Sequence, residues 1–333
     1  MMHPRPLATN QAEGMQKAVK RKATTDEQSS QLKRRQIARE RWNILIETIH
    51  GQRTSQTQQS VVSVRRFQSY GLLQTQKIKT PECENETEDA SWYQYSCHSF
   101  PNLSLIVRHL SETIKPSDLL GFNNTGNVCV WPSEEVMTYY CLQNHDKFAD
   151  ANVIEVGGGM TCLAGMAVAT CSKASRVVLT DGNEQSISNL RHIIGQNKTG
   201  GTSLSARMLR WGPTLVDQDL KEQFDIVLCA DCLFFDEGRK HLVQTLHSLL
   251  KPKGEAWIFA PSRHKTFYMF TDLAKNFFDE EQPEVYDTTV WRLHKQLQAS
   301  SEVYDENLHF PLFVRLIKGD PTNDSRDTTP ESR

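Results

Sequence analysis

Glycines at 157, 158 and 159 follow the apolar run Val153-Ile-Glu-Val, and a second apolar run ends at Thr180-Asp181. The pattern reads as strand, glycine turn, helix, strand and acidic residue. In a βαβ unit it brings a ligand close to the backbone at Gly157, Gly158 and Gly159, and it sets Glu155 and Asp181 at the carboxyl ends of neighbouring strands. A dinucleotide fingerprint would need a further glycine where Cys162 stands. Glu155, two residues before the turn, also repels a pyrophosphate across a short gap and suits a cation. S-adenosylmethionine carries a sulfonium, an α-amino group and a ribose diol, so it matches two carboxylates at these positions, with Asp181 accepting from the ribose hydroxyls. The same glycines serve equally as a plain structural turn in other α/β proteins, so the motif is weighed with its neighbours.

Further along, Arg210-Trp211-Gly212 and Ala230-Asp-Cys-Leu-Phe234 fall at the ends of later strands, where ligands bind in open α/β sheets. Trp211 either stacks beside an adenine or fills the core. Trp131, immediately before Pro132, either closes a pocket or plugs the space beneath an N-terminal layer. Methyl transfer to an amine needs a free lone pair, and a lysine with a pKa of about 10.4 is protonated at neutral pH. A strand-end carboxylate at Asp231 can hold the arriving ammonium, and the ring of Phe234 can accommodate the growing methylammonium by cation–π attraction. The alternative is that Asp231 caps the next helix and Phe234 is core. Cys229 and Cys232 have C-x-x-C spacing with no second pair at zinc-finger distance, so no metal is expected. His264, His294 and His309 stand alone and receive no role.

These residues need a sheet to hold them. From Trp131 onward strand and helix patterns alternate, which predicts an α/β domain over 128–318 with helices covering a mostly parallel sheet. The expected strands are Val153–Val156, Arg176–Thr180, Ala206–Trp211, Phe224–Ala230, Glu255–Ala260 and Leu312–Ile317, with helices starting at Pro132 and spanning Leu163–Thr170. Ahead of them, Val62–Phe67, Trp92–Tyr95 and Leu103–Val107 alternate like strands and predict a β extension over 61–127, with an acidic loop from Glu82 to Asp89. Trp42, Leu45, Ile46 and Ile49 mark a short amphipathic helix within 31–60. Residues 1–30 and 319–333 are polar and expected to be disordered.

The 333 residues, 38% of them hydrophobic, suffice for a substantial core. No stretch approaches the roughly 20 apolar residues of a membrane span, so no membrane partner is expected. The N-terminus lacks an apolar secretory region, and the eight cysteines form no paired framework, which points to a reducing compartment. Net charge is −2, yet Lys20-Arg-Lys22 and Lys33-Arg-Arg35 flank a polar spacer in the manner of a bipartite nuclear signal or a solvated tail. Cytoplasm and nucleus are the expected locations.

With Trp131, Glu155-Val-Gly-Gly-Gly159, Asp181, Arg210-Trp-Gly212 and Asp231-Cys-Leu-Phe234 in this order, the chain resembles the seven-β-strand methyltransferases. Within them it is similar to the subgroup that methylates protein lysines, marked by Asp/Glu-x-x-Phe/Tyr after the fourth strand. Ser63–Phe67, Asn124–Glu135, Gly157–Gly165, Leu179–Glu184, Cys229–Phe234 and Tyr304–Leu312 look like the members that act on calmodulin. The resemblance implies a Rossmann-like sheet of order 3-2-1-4-5-7-6, S-adenosyl-L-methionine as donor, and calmodulin as the protein substrate, trimethylated on one lysine. Carried over, Trp131, Gly157, Gly158, Gly159, Asp181, Trp211 and Ala230 line the donor pocket, Glu155 lies near the methionine end, and Asp231 and Phe234 serve the lysine. One departure is Thr161, where the family's motif ends in glycine. Calmodulin is acidic, so Arg65, Arg66, Arg263, His264 and Lys265 are candidates for a basic acceptor groove. The chain is expected to be a monomer. A nucleic-acid methyltransferase is disfavoured because the segment after the fourth strand lacks Pro-Pro-aromatic. A silent binding module has no need of Asp231 and Phe234, and a dehydrogenase lacks its glycine at 162.

Overall fold

A computed structural model describes residues 69–81, 90–110, 127, 129–215, 217–233, 235–263 and 265–320. The basic tail, the helix within 31–60, the strand Val62–Phe67, the acidic loop, Phe234, His264 and the residues beyond 320 lie outside them. The first described strands form a three-stranded antiparallel sheet, β1 (Gln74–Ile78), β2 (Ser91–Cys97) and β3 (Phe100–His109), in that order. β2 and β3 were legible from their alternation. β1 was not, because QTQKI is polar and exposed up to a half-buried Ile78 and is defined by its pairing with β2 alone.

The second sheet has seven strands: β4 (Asn152–Val156), β5 (Arg176–Asp181), β6 (Ser203–Met208), β7 (Phe224–Ala230), β8 (Leu250–Ala260), β9 (Phe278–Glu281) and β10 (Leu312–Lys318). Their order is β6-β5-β4-β7-β8-β10-β9. Numbered from the first strand of this sheet, that is 3-2-1-4-5-7-6, as the resemblance implies. β6 to β8 run parallel to their neighbours, whereas β10 pairs antiparallel with both β8 and β9. The central strands are near-continuous apolar runs because helices cover both faces.

Side chains alternate across each strand, so Val153 and Glu155 face one layer and Ile154 and Val156 the other. The first layer contains α1 (Pro132–Gln143), α2 (Leu163–Cys171) and α3 (Glu184–Gln196), and its apolar cluster includes Val136, Met137, Met166 and Leu190. α4 (Asp236–Leu249) and α5 (Thr266–Ala274) cover the second with Leu242, Leu246, Phe267 and Phe270. α6 (Thr288–Ser300) and the short α7 (Glu306–His309) lead into β10.

Helix starts follow their capping chemistry. Pro132 takes the first position of α1, where its missing N–H is no loss. Asn183 and Asp287 cap α3 and α6 by accepting backbone N–H bonds. Two strands are longer or shifted relative to expectation. β6 ends at Met208, so Trp211 lies in the loop beyond it. β8 begins at Leu250, through a Lys-Pro-Lys-Gly stretch that reads as a turn, with a register shift against β7.

The small sheet is fastened to the larger layer by polar side chains. Asn197 exchanges two hydrogen bonds with the Ile106 backbone, at 2.9 and 2.8 Å. Asn189 donates to the carbonyls of Arg108 (2.8 Å) and Met160 (2.9 Å). The buried carboxylate of Glu135 accepts from the Ser69 hydroxyl and from the amides of Tyr70, Leu72 and Leu73. Both sheets fall within one compact unit.

Candidate active site

The turn after β4 requires glycine. Gly157 (φ +69°) and Gly159 (φ +63°) adopt the left-handed region that side chains disfavour. A Cβ on Gly157 would stand 2.6 Å from the sulfur of Cys232 and 3.0 Å from the Trp211 ring. The turn therefore abuts both the loop after β6 and the loop after β7, and it brings Gly157, Trp211 and the Ala230–Cys232 segment together. Gly158 donates to the Thr180 carbonyl (3.1 Å), which ties the turn to β5. Asp181, at the end of β5, accepts from the amide of Gly159 at 2.9 Å and of Asn183 at 2.8 Å. Burial pushes its carboxyl up, and those amides pull it back toward ionisation.

Beneath the turn sits a pair of carboxylates. Glu155 is fully buried, with Oε2 accepting from the Gly165 amide at 2.6 Å and Oε1 lacking any hydrogen-bond partner. A Cβ on Gly158 would approach Oε1 to 2.8 Å, and one on Gly165 would approach Oε2 to 2.7 Å, so both glycines clear room for this side chain. From the start of α1, Glu134 sends Oε1 to the Leu163 amide (2.7 Å) and the Thr161 hydroxyl (2.8 Å). Cys162, the N-cap of α2, makes no side-chain cap. The two glutamates take its place, each accepting from a first-turn amide that has no partner within the helix. Burial pushes Glu134 up to about 7, while Glu155 is raised well above the carboxylate range by burial and then by Glu134.

Thr161 thus stands where glycine is usual because its hydroxyl has a partner. The left-handed step falls one residue later, at Cys162 (φ 39°). Glu134 was missed in the sequence, where it reads only as an acidic residue in a first helical turn.

On the other side of the turn, Asp231 is buried and bonded through Oδ2 to Arg263 at 2.7 Å. Its backbone amide donates to Phe259 of β8 (2.8 Å). The Arg263 guanidinium also lies over the ring of Trp131, 5.7 Å from its centroid. Arg263 is accordingly turned inward, and Lys265, the N-cap of α5, is exposed. Cys232 lies within reach of the carbonyls of Ala230, Val156 and Gly157, so it floors the turn. His294 bonds Tyr304 and stacks on Phe310, and His309 accepts from the Asp305 amide, which makes both parts of the core.

The arrangement fits a cationic donor. Three buried carboxylates, Glu134, Glu155 and Asp181, surround the glycine turn, and each is raised by burial, so a positive charge nearby would stabilise its ionised form. The orphaned Oε1 of Glu155 has no proton donor of its own. Asp181 is further steadied by the Gly182 amide and the Ser186 hydroxyl, which favour its ionised form. The Trp211 ring flanks the turn, the Trp131 ring carries the Arg263 guanidinium, and Asp231 holds one carboxylate oxygen outside the ion pair.

Comparison with known proteins agrees with this geometry. Residues 118–280 match the family model described as lysine methyltransferase. The calmodulin-lysine N-methyltransferase of Arabidopsis thaliana is 33% identical over 83% of this chain and 95% of its own length. Shorter matches are to the histone-arginine methyltransferase METTL23 of Xenopus laevis, 29% identical over 38% of this chain and 54% of that protein, and to EEF1A lysine methyltransferase 3 of Xenopus tropicalis, 26% identical over 46% and 66%. With the Arabidopsis enzyme, this chain belongs to the lysine methyltransferase family and is an S-adenosylmethionine-dependent protein-lysine methyltransferase.

Proposed function

We propose that the acceptor is a lysine of calmodulin and that the enzyme carries it to the trimethylated state. The observation that carries this reading is the extent of the similarity to the Arabidopsis enzyme, which runs through both sheets rather than the donor-binding half alone. A shared donor site would account for a match limited to β4–β7. A match that also spans the N-terminal layer supports a shared acceptor.

In this reading Asp181 holds the ribose hydroxyls, the Gly157–Gly159 turn admits the donor to the backbone, and Glu155 lies toward its methionine end. Trp131, Trp211 and Ala230 wall the pocket. Bound there, the donor supplies a methyl group on a sulfonium, and sulfur keeps the C–S electron pair as the C–N bond forms. Asp231 receives the acceptor's ammonium and orients it, and Phe234 accommodates the methylated product. Between turnovers the amine sheds a proton, since only its lone pair is nucleophilic. The basic clusters at Lys20–Lys22 and Lys33–Arg35 support activity in the nucleus as well as the cytoplasm.

Mass spectrometry of calmodulin after incubation with the protein and the donor tests the reading. One lysine carrying three methyl groups is expected. Unmodified calmodulin, with another protein methylated under the same conditions, would overturn the acceptor while leaving the family assignment in place.

A further inference from the structure

We propose that Arg263 is a positioning residue for the transfer: its guanidinium fixes Oδ2 of Asp231 beside the face of Trp131 and leaves Oδ1 for the acceptor's ammonium. The proposal rests on the acceptor-side role given to Asp231 above and adds the group that makes that role workable.

Three observations converge on it. The first is the ion pair itself, 2.7 Å long between side chains only 18% and 8% exposed. Among the described residues Oδ1 makes no hydrogen bond, so one oxygen is held by Arg263 and the other lies outside the ion pair. The second is backbone geometry. Asp231 (φ 55°) and Arg263 (φ 34°) both sit in the left-handed region although neither is glycine, and such residues persist where the surroundings over-determine them. Those surroundings are on hand: the Asp231 amide is held by the Phe259 carbonyl, and the Arg263 amide by the Asn307 carbonyl at 2.8 Å. The third is the indole face. A planar guanidinium can meet a carboxylate and an aromatic ring together, and an ammonium cannot reproduce that geometry. Arg263 thus joins the loop after β7, the start of α1 and the start of α7.

The charges around Asp231 explain why such a partner is needed. Burial opposes its ionised form, and Arg263 is the group that favours it. Among the described residues, the titratable groups nearby include Cys232, from its own loop, and Asp181 of β5, which interacts with that thiol and adds negative charge. Arg239 of α4 is turned to the Leu233 carbonyl and Asp236 instead. Without Arg263, a buried carboxylate would take up a proton and lose its hold on a cationic side chain. With Arg263, the acceptor meets an anion already formed and already oriented.

The test follows the carboxylate directly. In protein labelled with 13C at aspartate side-chain carboxyls, the Asp231 signal is identified by its loss in Asp231→Asn and titrated in the wild type, Arg263→Gln and Arg263→Lys. The expected result is a higher titration midpoint in Arg263→Gln, partly restored in Arg263→Lys, with the acid limb of kcat/KM for calmodulin methylation moving to higher pH alongside it. An Asp231 midpoint equal in wild type and Arg263→Gln overturns the proposal. So does a uniform loss of activity with the acid limb in place, which is what a merely structural role would give. If calmodulin is not a substrate, the titration still decides the matter, so the two readings fail separately.

Discussion

One oxygen of Glu134 binds the Thr161 hydroxyl at 2.8 Å while also holding the Leu163 amide, so the entry to α1 closes the loop that leaves the glycine turn. Replacing Thr161 by valine keeps the shape and removes the hydroxyl from a buried carboxylate. A loss of about 1–3 kcal/mol is expected, of the size seen for hydrogen bonds to charged groups. Thermal melting measures it, and Thr161→Ser should melt like the wild type.

The same carboxylate gives the fold a pH dependence. Glu134 is pushed up to about 7, so between the ordinary carboxylate range and that value the folded chain binds more protons than the unfolded one. Its contribution is full below that range and is lost as pH rises through about 7. Glu155 is raised in the same direction. The melting temperature should fall between pH 5 and pH 8, and Glu134→Gln should flatten the fall, because an amide oxygen still accepts from Thr161 and Leu163 without titrating. A slope unchanged in that variant would assign the effect elsewhere.

Asp181 and Asp231 should separate donor binding from turnover. Asp181→Ala removes the partner of the Gly159 amide together with the acceptor proposed for the ribose hydroxyls, and donor affinity should drop by about 10- to 100-fold, one to two hydrogen bonds to a charged group. Asp231→Ala should depress kcat while calorimetric donor affinity stays near the wild-type value. The reverse outcome would exchange the two roles.

Gly157→Ala should abolish donor binding, since the added carbon would collide with the Cys232 sulfur at 2.6 Å and crowd Trp211 at 3.0 Å at a strained φ. Adding Cys232→Ala relieves the nearer collision and should recover part of the stability. It should not recover donor affinity, because Trp211 and the backbone angle remain. Paired melting and titration curves distinguish the two effects.

The central strands and the glycine turn were legible because each carries a local signal: near-continuous apolar residues for strands buried on both faces, and glycine where φ is positive. β9 was not legible. Its Phe-Asp-Glu-Glu sequence has one buried residue, and it is held at the sheet edge by pairing with β10 and by contacts of Glu280 with Lys275 and of Glu281 with Arg315. Within the site, Asp181, Gly157 and Trp211 were anticipated as neighbours because strand ends converge in an open sheet. Glu134 and the Arg263–Asp231 pair were beyond reach, as contacts between residues far apart in the chain leave no spacing to read. Lys265 and Arg263 illustrate the limit further: basic residues two apart on paper, one exposed and the other turned into the protein.

Asn189 spans the seam between the two sheets, with one amide group on the carbonyl of Arg108 in the N-terminal hairpin and on that of Met160 at the exit of the glycine turn. Arg108 returns a bond to the same side chain at 2.9 Å. Damage to the hairpin is therefore expected to loosen the loop that leaves the glycine turn. A substitution that removes the Arg108 side chain should release Asn189 and disturb that loop, although Arg108 lies outside the residues 118–280 that match the family model.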